Sequence, residues 1–232
     1  MSKELIFRGF SKKTIDFFYN LKQNNGKAWF DSHKKDYDAY VLEPAKAYVI
    51  AMGERLKSLS PDINAVPKFN KSLFRIYRDT RFSLDKSPYK THMGIFFWEG
   101  KRPRMECSGF YFHLEPPKLI LGVGIYMFPR DLLDKYRNSV VDPEYGEELS
   151  GIISKISRMK GYELGGKHYK RVPAGYDSSH PNAGLLLHNG LYLGQETDIP
   201  DELYSSSLID YCWKRFHPLA PLHRWLVSMT TG

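Results

Sequence analysis

The chain has only two cysteines in 232 residues, Cys107 and Cys212, too few and too far apart for a disulfide framework or a thiolate zinc site. No apolar run approaches the roughly 20 residues that cross a bilayer. The opening MSKELIFRGFSKK carries charges where a secretory leader keeps an uninterrupted apolar stretch. A soluble, cytoplasmic protein with reduced thiols and no membrane association is therefore expected. Walker loops, GxGxxG, GxSxG, HExxH and HxH are all missing, which removes the usual signals of P-loop, Rossmann, α/β-hydrolase and zincin chemistry. The eight histidines show no zinc-like spacing, and His217 and His223, six apart, fall on different faces of a helix. No cofactor or resident metal is expected from this spacing, although Asp79 and Asp85 could hold magnesium alongside a phosphate ligand. Repeats, low-complexity tracts and convincing linkers are lacking too, so a single domain over residues 1–232 is expected.

Acidic residues are scarce where basic ones are dense. Between Pro67 and Arg104 ten Lys and Arg face three Asp and Glu, a net +7 out of +8 for the whole chain. Localised charge of this kind needs an anionic ligand, or carboxylates brought in by the fold. Glu43, Glu99 and Glu106 are the carboxylates that a structural ion-pair network would recruit beside Asp79 and Asp85. Ten bases against three local acids leave a large excess even then.

Hydrophobic periodicity supplies the fold. Ser11 reads as the N-cap of a helix with Ile15, Phe18 and Leu21 at helical spacing, closed by Asn24-Asn25-Gly26. A second helix is predicted from about Lys27 through Val41, and a third from Pro44 with Ala45, Tyr48, Val49, Met52 and Leu56 as its apolar stripe. From about Ser72 the period becomes two, and Met93 to Trp98, Cys107 to His113 and Leu119 to Tyr126 read as further strands. Their separators are too short for crossover helices, so the strands should be antiparallel. Gly122 and Gly124 suggest a strand closely approached by another element. Helices follow from Pro129 and from Asp142-Pro143, the latter burying Leu149, Ile152, Ile153 and Ile156. Residues 161–194 read as loops with short strands, and a helical region closes the chain from about Pro200 to Val227. The fold class is α+β: a mainly antiparallel sheet flanked by N-terminal and C-terminal helices.

The basic segment centres on RIYRDTRFSLDKSPYK, Arg75 to Lys90. Guanidinium groups grip carboxylate or phosphate through paired hydrogen bonds, and interleaved tyrosines can stack on a ring. The candidate anion ligands are Arg75, Arg78, Arg81, Lys86 and Lys90, with Tyr77 and Tyr89. Asp79, Asp85 and Tyr89 are the weaker candidates for catalysis. On a strand, Arg75, Tyr77 and Asp79 would share one face while Phe74 and Ile76 turn to the core. A Gly-rich loop, Gly166 to Arg171, adds Lys170 and Arg171 beside His168 and could close over an anion. Lys101, Arg102 and Arg104 add charge in a hairpin turn. Cys107 reads as a buried, inert thiol, since nothing in the sequence places His92 or His113 beside it.

This segment resembles the bacterial domain of unknown function 2461 family, with its pattern RxxRDxRFxxxKxPYK met at Arg75, Arg78, Asp79, Arg81, Phe82, Lys86, Pro88, Tyr89 and Lys90. The resemblance extends to Phe17 or Phe18, Leu21, Asn24, Asn25, Trp29, Phe30 and Tyr37 near the N-terminus. It continues at Lys170, Arg171, Pro173, Gly175, Tyr176, His180 and Pro181. It implies kinship over nearly the whole chain and no assigned activity.

Three functions follow from these residues. The first is an anion- or phosphate-binding domain that recognises nucleic acid or a nucleotide-like ligand through the arginine motif. The second is an enzyme acting on a phosphorylated or carboxylated substrate, and the third a structural or protein-interaction domain. Asp mixed among the Arg favours a pocket for a small anion, whereas the bases at 101–104 favour a polyanion.

Overall fold

The computed structural model describes residues 5–231. Five strands, β1 (Met93–Trp98), β2 (Gly109–Glu115), β3 (Lys118–Ile125), β4 (Tyr162–Lys167) and β5 (His188–Asp198), form one antiparallel sheet in the order β1-β2-β3-β5-β4. Helices precede and follow it, so the α+β class holds. The chain divides into two compact units, each assembled from three segments. The first comprises residues up to Phe97, Tyr111–Ile120 and Thr197–Lys214; the second comprises Trp98–Phe110, Leu121–Glu196 and the remainder from Arg215.

In the first unit α1 (Lys12–Gln23) starts at Ser11 as expected, with the Ser11 N–H donating to the Thr14 hydroxyl at 3.2 Å. Its apolar residues at three- and four-residue spacing, Ile15, Phe17, Phe18 and Leu21, are buried. The single helix expected over 27–41 is instead broken into α2 (Lys27–Ser32) and α3 (Lys34–Tyr37), followed by a π turn at Asp38–Leu42 and then α4 (Glu43–Leu56). Two side chains account for the difference. His33 stacks on Trp29 at 4.0 Å and brings Nδ1 within 2.8 Å of the Trp29 carbonyl, a bond that competes with helix continuation. Pro44 has no N–H for the carbonyl four residues earlier, and its ring crowds that carbonyl, which widens the turn. The released Tyr40 carbonyl accepts instead from the Thr14 hydroxyl at 2.6 Å. Helix α4 buries Ala45, Tyr48, Val49, Met52 and Leu56 as its stripe required, with Tyr48 against Phe112 of β2 at 4.8 Å between ring centres.

The expected strand beginning at Ser72 is reduced to isolated bridges, Leu73 with Ile95 and Tyr77 with Tyr89. Phe74 N–H and Phe96 N–H still bond across to Gly94 and Ser72 at 3.2 and 2.9 Å, so residues 72–74 shield part of the outer edge of β1.

In the second unit α5 (Arg130–Val141) and α6 (Pro143–Ser157) meet at Asp142, whose Oδ1 accepts from the Glu144 and Tyr145 N–H groups at 3.0 and 2.9 Å. Leu149 and Ile156 are buried, while Ile152 and Ile153 are half-buried rather than fully so. Residues 161–194, expected as loops with short strands, hold β4 and most of the eleven-residue β5. The glycines that suggested loops there serve close strand approach: a Cβ on Gly190 would lie 2.0 Å from the Tyr126 carbonyl oxygen. Gly124, at φ +143, stands where a Cβ would meet the Leu191 oxygen at 2.2 Å, the close approach expected of it. Among the described residues no helix is long and apolar enough to cross a membrane.

Candidate functional site

The arginine motif is a hairpin within the first unit. Arg78 N–H donates to the Pro88 carbonyl at 2.9 Å and Lys90 N–H to the Ile76 carbonyl at 2.7 Å, closing a loop over residues 79–87. Ile76 turns inward and Arg75, Tyr77 and Asp79 turn outward as the strand reading required, while Phe74, expected in the core, is half-buried. The hairpin is anchored from α1. Just past that helix Asn25 donates from its side chain to the Tyr89 carbonyl at 2.9 Å and accepts from the Tyr89 N–H at 3.1 Å, as a neighbouring strand would. The Tyr89 ring is buried and stacks on Phe30 of α2 at 4.2 Å, whereas Tyr77 is exposed. Tyr89 is therefore a packing residue, with its ring out of solvent.

The loop neutralises much of its own charge. Arg81 holds Asp79 with two parallel bonds, Nε to Oδ1 at 3.0 Å and Nη2 to Oδ2 at 2.7 Å, and this pulls the Asp79 carboxyl down to about 2. Asp85 is also held below the ordinary carboxylate range, first by the Ser87 hydroxyl and N–H and then by Arg78, whose Nη1 it accepts. Lys86 donates to the Thr80 carbonyl at 2.9 Å. The recruited acids are therefore the motif's own. Glu43 pairs with Lys46, Glu106 with Arg102, and Glu99 Oε2 lies 3.0 Å from His223 Nε2. Arg75 is exposed, and at the loop tip Phe82 and Leu84 are fully exposed.

Directly after the hairpin comes a cluster that sequence spacing did not disclose. His92, two residues after the hairpin, stacks on His113 of β2 with ring centres 4.3 Å apart. His113 Nδ1 lies 2.9 Å from the Tyr111 hydroxyl and Nε2 lies 3.2 Å from Glu115 Oε2. The Thr91 hydroxyl donates to Glu115 Oε1 at 3.4 Å. Strand alternation puts Tyr111, His113 and Glu115 on one face of β2, with Phe112 and Leu114 buried on the other. Gly94 on β1 makes room for this face: a Cβ there would sit 2.9 Å from the Tyr111 hydroxyl oxygen. Burial, the His113 ring and the positive charges of Lys90 and Arg78 push the His92 imidazole down to about 4, with Glu115 opposing them. Burial pushes the Tyr111 phenol up to about 12. His92 is thus a neutral imidazole at pH 7, stacked on the His113 ring. The signal that could have revealed the cluster is the YFHLE alternation, which lines up a hydroxyl, an imidazole and a carboxylate at two-residue steps.

Other groups fall elsewhere. Lys170 and Arg171 are exposed in the loop after β4, in the second unit, while the motif belongs to the first. Arg102 is tied to Glu106 at 3.0 Å and to Asp131 at 2.6 Å. Cys107 and Cys212 are both buried with no disulfide between them, and burial raises the Cys107 thiol. In the second unit Ser108, His223 and Glu99 form a chain through 2.9 and 3.0 Å contacts. It has the composition of a nucleophile, base and acid, but Ser108 and His223 are wholly buried, so no substrate reaches the hydroxyl and the chain acts as an internal strut. A cleft of about 250 Å³ on α1–α3, floored by the Trp29–His33 stack and rimmed by Lys13, Asp16, Asp36 and Tyr40, is the roomier depression of the first unit's helical face.

These features define an α+β protein with a self-paired arginine hairpin set beside a polar histidine cluster. The chain belongs to the DUF2461 family, described as conserved hypothetical protein, whose profile matches residues 13–225. That span contains the hairpin and the cluster alike. No curated protein matches the chain.

Proposed function

We propose that the hairpin of residues 75–90 and the adjoining face of β2 bind a small phosphorylated or carboxylated ligand. The observation that carries this reading is that the cationic hairpin leads directly into His92, whose imidazole Lys90 and Arg78 bias electrostatically and which stacks on His113 beside the Tyr111 hydroxyl. A small anion there would meet Lys90 and, on displacing Asp85, the fork of Arg78, with several neutral donors in a partly desolvated setting. Nucleic acid is favoured less, because the exposed loop presents arginines already held by Asp79 and Asp85 rather than a uniform cationic stripe. The Tyr111–His113–Glu115 chain supports a second reading, an enzyme on the same class of substrate, since a carboxylate-oriented imidazole is acid–base apparatus. A cytoplasmic setting goes with either, in keeping with two cysteines that form no disulfide.

Titrations with inorganic phosphate, ATP, single-stranded DNA and heparin over a salt series test the proposal. Binding of phosphate or ATP should weaken with salt at a log–log slope no steeper than about −1, because few counterions are released. Replacing Arg78 by Lys keeps the charge and removes the planar fork, so affinity should fall roughly tenfold to a hundredfold with the melting temperature unchanged. A loss of stability without a loss of binding would sink the site. DNA binding with a slope steeper than about −2 would reassign the surface to polyanions.

A further inference from the structure

We propose that His92, His113 and Glu115 form a site for a divalent transition metal, zinc being the ion that best matches the donors. Two imidazoles and one carboxylate are the ligand set of open, three-residue zinc sites, which leave a fourth position for water or a ligand. The three donor atoms already lie within 4.8 Å of one another. Zinc bonds of about 2.0–2.2 Å place two ligands of one ion roughly 3–3.5 Å apart. His113 Nε2 and Glu115 Oε2, at 3.2 Å, stand at that separation, and the His92 donor lies within 4.8 Å of both.

The surroundings are those of a supported site. A ligating imidazole is oriented by a bond to its other nitrogen, and the Tyr111 hydroxyl holds His113 Nδ1 at 2.9 Å, leaving Nε2 for the ion. The Thr91 hydroxyl engages Oε1 of Glu115, leaving Oε2 for the ion. Two of the three ligands sit at i and i+2 of β2, a strand with a neighbour on each side in the sheet, Glu115 being its last residue. The side chain of Glu115 is 45% exposed while that of His113 is only 13% exposed, so the site has a route from solvent at one end and a packed wall at the other. Arg78 and Lys90 weaken a bare cation's hold electrostatically and favour a negatively charged fourth ligand over a water molecule. Metal binding is nonetheless a claim separate from anion binding, because it is measured with no anionic ligand other than chloride present.

The experiment uses tag-free full-length protein stripped with chelator. Titrated with Co²⁺, it should bind one equivalent and develop the visible absorption of a four-coordinate ion, and Zn²⁺ should displace it. His113→Ala and His92→Ala should each lower affinity by at least a hundredfold in a chelator competition, and Tyr111→Phe by roughly tenfold to a hundredfold as the orienting hydroxyl is lost. His168→Ala, an exposed histidine in the other unit, should change nothing. Should the alanine variants misfold by circular dichroism, Glu115→Gln, the same shape without the charge, carries the same expectation. Absence of stoichiometric binding at micromolar metal, or equal affinity in the wild type and the folded ligand variants, would overturn the proposal. Metal binding with no phosphate binding would leave this site standing and remove only the anion reading.

Discussion

Asn25 shows how one side chain can hold a functional segment in place. Its amide donates to and accepts from the backbone of Tyr89, so it completes a bridge that no strand supplies. Truncating it leaves a partly buried N–H and a carbonyl unpaired, each costing on the order of 1–3 kcal/mol when unsatisfied. Asn25→Ala should therefore lower stability by about 2 kcal/mol, read as a shift of the urea midpoint, and should weaken anion binding through loss of the hairpin's position. An equal midpoint in the variant would show that the contact is replaced by water at no cost. The Asp79–Arg81 pair is a contrasting case. Both side chains are largely exposed, and exposed pairs contribute little because water screens them, so its part is to shape the loop and mask charge. Sequence already pointed to arginines with internal acids here; it could not say that Asp79 would take Arg81 and Asp85 would take Arg78, since both choices lie within reach along a flexible loop.

At the level of elements, helices were legible where spacing is regular and less so where side chains compete with the backbone. Helix α4 kept the stripe read from Ala45 to Leu56. The break at His33 and the π turn before Pro44 arise from one imidazole, one absent N–H and the Thr14 hydroxyl 26 residues away, and the last of these is invisible to local pattern. Strand β5 was hidden for the opposite reason. Gly190 and Gly194 look like loop residues until the neighbouring backbones are seen to leave no room for a Cβ or little of it. Gly124 tests the same point on β3. Gly124→Ala combines a backbone angle foreign to L residues with a clash at the Leu191 carbonyl, and it should cost about 2 kcal/mol or more, measured by thermal or urea unfolding. Tolerance at this position would mean that β3 and β5 can part without loss.

For the whole molecule, pH offers a reading of burial. His188 at the start of β5 is buried, and its imidazole is shifted below the ordinary histidine value by desolvation first, with Lys167 of the paired strand β4 pushing the same way. The backbone carbonyls of Leu185 and Gly184 oppose the shift. Because the folded ring resists a proton that the unfolded chain accepts near pH 6.5, the unfolded state binds more protons below that pH. Stability should be unaffected above about pH 6.5 and decline as pH falls below it, levelling once the folded ring also protonates, with a slope of at most about 1.4 kcal/mol per pH unit for one group. His188→Gln should flatten this part of the acid limb in urea unfolding at pH 7, 6 and 5. An unchanged acid limb would show that His188 finds another partner on protonation.

Composition, periodicity and one long motif determined by themselves the class of fold, the helices at either end, the family and the position of the charge excess. All of these are recorded in the chemistry of neighbouring residues. Only the tertiary structure decided which charges stay available and which groups stand beside them. It placed Tyr111, His113 and Glu115 on the side of β2 where His92 stacks, and it turned the Tyr89 ring into the core. The reason is physical: alternation along a strand fixes which residues share a face, but which element covers that face depends on how far-apart segments pair, and no local spacing encodes it.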